Sequence, residues 1–131
     1  MKRIYLFSII FLLLNCSQTK KMNYTYADGN GNTYRLMDLS LKYNPIQAKD
    51  SSSGTYSGGE KKEVVVTQAN REKLMLLFQK AIDNKSIHNA KRTMGSGTIY
   101  FQKGEEFKKI FLLMRAKEKR EIESFLKDLL K

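Results

Sequence analysis

The chain has 131 residues, one cysteine, one histidine, no tryptophan and a formal net charge of +11. That length supports one domain, able to bury about two-thirds of the surface its unfolded chain exposes. A single cysteine excludes an internal disulfide and one histidine excludes a histidine cluster for metal, while the cationic excess favours anionic partners such as phospholipid headgroups, lipopolysaccharide, nucleic acid or acidic proteins.

Lys2 and Arg3 open the chain, and Ile4 to Leu14 is an apolar run interrupted only by Ser8. A basic start followed by about ten apolar residues is the pattern of a secretory signal. The run falls short of the about 20 residues that a membrane span needs. It gives way to the polar and basic Ser17-Gln18-Thr19-Lys20-Lys21. Leu13-Leu14-Asn15-Cys16 resembles the lipobox of bacterial lipoproteins. The resemblance is confined to residues 1–16. Leu13 matches the family's leucine, and Asn15 stands where a smaller residue is usual.

The resemblance implies that residues 1–15 are a signal peptide, cut off before Cys16. It also implies a diacylglycerol thioether on Cys16 and an acylated new N-terminus. Ser17, where a retention signal would place Asp, implies by analogy an outer-membrane address facing the periplasm. One acyl chain binds a membrane marginally and two or more anchor it stably. Residues 16–23 then read as a lipidated tether and 24–131 as a single domain without a thiol.

The domain begins with Tyr24-Thr25-Tyr26, followed by Asp28-Gly29-Asn30-Gly31-Asn32. Asp-Gly and Asn-Gly steps supply the positive φ that a hairpin turn needs. In the next run Met37, Leu39, Leu41 and Tyr43 share one parity, with Asp38, Ser40 and Lys42 on the other. Period two predicts a strand with one buried face, so residues 23–27 and 33–43 are expected to pair. Asn44-Pro45 ends that strand.

Residues 46–60 are small and polar and predict a long loop, either functional or disordered. Lys61 to Val66 returns to strand, and Val64-Val65-Val66 predicts burial on both of its faces. Thr67 sits where an N-cap belongs. The helix after it carries Leu74, Leu77, Phe78, Ala81 and Ile82 on one stripe and ends near residues 84–86. Residues 86–97 read as irregular. Residues 98–102 and 105–114 read as two strands around a turn at Lys103-Gly104. The second strand has apolar residues on both faces, which predicts a central or covered position. A final helix over residues 117–130 carries Ile122, Phe125, Leu126 and Leu129.

The order β-β-β-α-β-β-α predicts an α+β fold. Its expected form is an antiparallel sheet of about four to five strands with two helices packed on it.

Few residues point to chemistry. Asp28-Gly29-Asn30-Gly31-Asn32 begins like a calcium loop, but Thr33 and Leu39 occupy the positions where that loop needs Gly and Glu. A hairpin turn is the expectation. His88 stands without a second His or a free Cys and reads as a surface or packing residue. Gly95-Ser96-Gly97-Thr98 after Lys91-Arg92 has the wrong flanks for a phosphate loop, though Lys91, Arg92 and exposed amides could still contact an anion. Thr55, Tyr56 and Ser57 lie in the long loop, whose mix of Tyr with small neighbours suits recognition of a protein partner. The basic doublets are dispersed, and no groove with aromatic platforms is legible, so nucleic acid is not expected.

The sequence leads to a membrane-anchored lipoprotein with a small non-enzymatic binding or envelope-associated domain and no cofactor or metal. It would be held by lipid on Cys16, against an anionic envelope surface. The alternative is an inhibitor or immunity protein that blocks a hydrolase or toxin.

Overall fold

A computed structural model describes residues 22–131. The expected signal peptide over 1–15, the expected lipid site at Cys16 and residues 17–21 of the expected tether lie outside the described residues. The fold is α+β, with two helices on an antiparallel sheet. The strands are β1 (Tyr24–Ala27), β2 (Thr33–Met37), β3 (Ser40–Asn44), β4 (Lys62–Val65), β5 (His88–Asn89), β6 (Gly97–Lys103) and β7 (Glu106–Leu112). The helices are α1 (Gln68–Asp83), between β4 and β5, and α2 (Lys117–Leu129), after β7. The sheet has seven strands in the order β4-β3-β2-β1-β6-β7-β5, rather than the expected four to five.

Two elements account for the difference. The run 33–43 is a hairpin of two strands, with Met37 paired to Ser40. Asp38 turns the chain with a φ of 50°, a conformation that a short polar side chain tolerates. The turn also switches the inward parity, so Tyr34 and Leu36 on β2 face Tyr43 and Leu41 on β3. Met37 and Leu39, expected on the buried face, are exposed. The second element is β5, a two-residue strand inside the predicted irregular stretch, paired to Leu112 and Phe111.

One face of the sheet meets the helices. Tyr24, Tyr26, Tyr34, Leu36, Leu41, Ile99, Phe101 and Leu112 project from it into the core. Leu74, Phe78 and Ala81 of α1 and Ile122 and Leu126 of α2 close that core from above. Thr67 caps α1 as its position predicts, accepting a bond from the Asn70 N–H at 3.1 Å. Tyr24 stacks on Phe78 of α1, centroids 5.0 Å apart. Tyr26 donates to Glu123 Oε1 of α2 at 2.6 Å.

Two burial expectations are corrected. β4 is an edge strand, and Val65 is exposed on the face away from the helices. β7 lies next to the β5 edge and turns Ile110 and Leu112 toward the core, while Phe107 on its other face is exposed.

The strand registers define two ends of the sheet. Tyr24, Met37, Ser40, Val65, Lys103 and Glu106 mark one, and the chain enters there through Met22. Ala27, Thr33, Asn44, Lys62, Gly97 and Leu112 mark the other. Among the described residues no helix is long and apolar enough to cross a membrane.

Candidate functional site

Three connections meet at the end of the sheet opposite Met22. They are the β1–β2 turn at 28–32, the β3–β4 loop at 45–61 and the β5–β6 loop at 90–96. The first two leave and re-enter the sheet at that end, and the third enters β6 there at Gly97, after the two residues of β5, which start at the same end.

The β1–β2 turn is built around Asp28. Its Oδ1 accepts the N–H groups of Asn30 at 2.9 Å and Asn32 at 3.0 Å. Its Oδ2 accepts from Asn32 Nδ2 at 2.8 Å. The carboxylate is turned inward onto three donors, the arrangement of a satisfied turn and not of a calcium loop. Among the described residues no cluster of three His, Cys, Asp or Glu could hold a metal ion.

Asn32, itself buried, fastens the long loop to this turn. Its Oδ1 accepts the Ile46 N–H at 3.0 Å, and its Nδ2 also donates to Tyr56 Oη at 2.9 Å. The loop closes at its base, where the Gly58 N–H donates to the Ile46 carbonyl at 3.0 Å. Tyr43 Oη donates to the Gly58 carbonyl at 2.7 Å. A 3-10 turn over Ala48–Asp50 and a bond from Ser51 Oγ to the Ala48 carbonyl shape the interior. Residues 46–58 thus form an ordered loop with adjacent ends. Gly58 is required there, because a Cβ would run into the Asn32 side chain.

The third connection is drawn in by contact of backbone on backbone. A Cβ on Gly29 would stand 2.8 Å from Gly95 Cα, so the two chains approach only through glycine. Ser96 Oγ donates to the Thr93 carbonyl at 2.6 Å and accepts the Thr93 N–H at 3.1 Å. Ser96, Gly97 and Thr98 are buried, so these three residues do not present their amides to an anion at the surface. The cations remain on the surface. Lys91 and Arg92 are both exposed, and only Arg92 borders the cleft described next.

The three connections enclose an open cleft of about 640 Å³. Gly29, Asn30 and Gly31 form one wall, Ile46 and Asp50 to Ser53 another, and Tyr56, Arg92 and Met94 complete the rim. Tyr56 and Arg92, drawn from two separate sequence candidates, therefore share one site. Thr55 and Ser57 are exposed beside it without lining it. Tyr56 Oη accepts from Asn32, which leaves its own hydroxyl proton for a ligand. Ser51, Ser52 and Ser53 add hydroxyls, and Met94 is 94% exposed. The cleft can donate several hydrogen bonds, pair with one carboxylate or phosphate through Arg92, and cover an apolar group with Met94.

His88 is held elsewhere, one ring nitrogen 2.8 Å from the Ala81 carbonyl. It fastens β5 to α1, in keeping with a packing role. A buried polar network also lies outside the cleft. Glu123 accepts from Tyr26 and pairs with Lys119 Nζ at 2.8 Å, joining α2 to the sheet. Burial, and then the Glu123 charge, push the Tyr26 phenol far above its ordinary range. Burial likewise raises Tyr34, with the Asp28 charge adding to it.

Sequence reasoning missed Asn32 as a fastener, because its partners lie 14 and 24 residues away. The signal present was an Asn at the end of the turn followed by a Tyr in a polar loop, and neither names the other. Comparison with protein-family models, curated proteins and solved structures finds no match.

Proposed function

We propose that this chain is a membrane-anchored bacterial lipoprotein whose domain is a non-enzymatic binding module. In this reading the acyl chains sit on Cys16, and the cleft between the three connections receives a protein partner. The observation that carries it is the placement of that cleft at the end of the sheet opposite Met22, where the chain enters from the tether. Tyr, Met and Arg are residue types enriched in protein interfaces, and here they share one rim.

The ordered loop gives the inhibitor or immunity reading a specific footing. Asn32 holds Tyr56 in place before any partner arrives, and a preorganised loop loses less entropy on binding. Such a site suits one tight partner, such as a hydrolase or toxin with an acidic rim.

Two measurements test the proposal. Intact mass of the native protein should show loss of residues 1–15 and added acyl mass, and an unmodified Cys16 thiol would contradict the anchor. The paired substitutions Arg92→Ala and Met94→Ala touch exposed side chains only. They should abolish capture of the partner at unchanged melting temperature; undiminished capture would contradict the site.

A further inference from the structure

The sheet face turned away from the helices carries a second surface. Thr25 is the cross-strand neighbour of both Arg35 and Tyr100, and Tyr100 is the neighbour of Lys109. Arg35, Thr25, Tyr100 and Lys109 therefore form one row across β2, β1, β6 and β7. Phe107 and Phe111 flank Lys109 along β7, on the same face. The Tyr100 and Phe107 rings stack with centroids 6.1 Å apart. Lys109 Nζ lies 5.2 Å from the centre of the Phe111 ring. Phe107 is 71% exposed. Among the described residues, β1, β2, β6 and β7 turn no Asp or Glu outward on this face.

An antiparallel sheet often leaves one face to water, and such a face is ordinarily polar. A stacked aromatic pair beside two cations, with no acid among them, departs from that pattern. Exposed apolar patches of this kind mark interaction surfaces. Position and charge together favour one occupant. Phe107 lies one residue from the start of β7, at the end of the sheet where the chain enters. Continuing the pairing of Tyr24 with Phe101 sets Met22 beside Lys103 at this same end; the hollow these two border with Lys85, Lys108 and Asp83 opens on the helix side and is not part of the face. Five residues lie between Cys16 and Met22, six steps of chain and a reach of about 20 Å at full extension.

We propose that this face docks on an anionic lipid surface, with Phe107 at the acyl boundary and Arg35 and Lys109 on headgroup phosphates. The inference rests on the lipid anchor proposed above. The anchor supplies a high local concentration of membrane, so a weak face suffices. Aromatic rings and long cationic side chains are the residues that settle at such an interface. Each cation near an anionic leaflet adds to the attraction, and salt weakens it. The cleft with Tyr56 and Arg92 lies at the other end of the strands.

The chain has no tryptophan, so Phe107→Trp gives a single fluorescent reporter. The full protein from its own membranes is reconstituted in vesicles of phosphatidylcholine alone or mixed with phosphatidylglycerol. Intact mass of the same sample reads the anchor separately. The expected result for Phe107→Trp is indole emission at shorter wavelength, quenched by brominated lipid, in the anionic vesicles only. Met94→Trp, at the cleft, should keep emission typical of water. Phe107→Ser should weaken partitioning of any unacylated protein about tenfold, the effect of one ring partly withdrawn from lipid.

Acylated Phe107→Trp protein with water-like emission overturns the inference and leaves the anchor standing. An unmodified thiol removes the anchor; the inference then stands if the emission of Phe107→Trp still shifts on anionic vesicles and falls if it does not. Emission that shifts without vesicles, together with dimers in solution, assigns the face to a second copy and overturns it. An equal shift on added acidic glycan does the same.

Discussion

Asn32 is the side chain on which the cleft depends, and its replacement has a magnitude that follows from its three bonds. In Asn32→Ala the Asp28 Oδ2 loses the Nδ2 donor and the Ile46 N–H its acceptor. A buried polar group left unpaired costs about 1–3 kcal/mol, so two of them cost about 3 kcal/mol. In a domain of this size that lowers the melting temperature by roughly 15 °C. Asn32→Asp is the sharper test. It keeps the acceptor for Ile46 but sets a second carboxylate where Nδ2 now stands 2.8 Å from Asp28 Oδ2. Two carboxylates at that range share a proton, which raises the pKa of the pair in the folded state above its unfolded value. A raised pKa contributes stability below the unfolded value and loses it as pH rises through the folded one. Asn32→Asp should therefore be more stable at pH 5 than at pH 7, relative to the parent chain. Urea unfolding at the two pH values measures this, and amide exchange at Ile46 and Gly58 should quicken in both variants. An Asn32→Asp midpoint equal to that of the parent at pH 7, or a loss below about 1 kcal/mol for Asn32→Ala, would refute the fastening role.

Two further predictions concern the buried network. Glu123→Ala leaves Lys119 in the interior without its carboxylate and should cost about 3–5 kcal/mol, whereas Tyr26→Phe removes one bond to a charged acceptor and should cost about 1.5–3 kcal/mol; equal losses in urea unfolding would show that Lys119 finds water instead. At alkaline pH the unfolded chain releases the Tyr26 proton near pH 10 while the folded chain keeps it, so stability present below that pH falls as pH rises. The fall attributable to Tyr26 is about 1.4 kcal/mol per pH unit, and Tyr26→Phe should lack it; parallel curves for the two proteins from pH 9 to 11 would contradict this.

The parts of the fold legible in the sequence are those set by neighbours in the chain. The Asp-Gly and Asn-Gly steps announced the first turn, Thr67 announced α1, and the apolar stripes of both helices face the core, although α2 also buries Lys119, a residue its charge would assign to the wet side. The second hairpin was not legible because its turn contains no glycine. Asp38 alone takes the positive φ, and the two-residue turn let one apolar alternation run on into another. The edge position of β4 depends on which strand lies beyond it, a fact absent from Val64-Val65-Val66. The cleft was legible only in pieces. Tyr56 and Arg92 stood out locally, yet what unites them is Asn32 and the contact of Gly29 with Gly95. These contacts exist only once the sheet brings three chain connections to one end.

The central claim, that the cleft rather than another surface meets a partner, is tested most directly by site-specific photocrosslinking in native membranes. A photoreactive residue is placed at position 94, on the cleft rim, or at position 76, where Leu76 is exposed on α1. The account predicts one adduct of defined mass from position 94, lost when Arg92 is replaced by Ala, and none from position 76. Adducts of equal yield from both positions, or an adduct from position 76 alone, would contradict it.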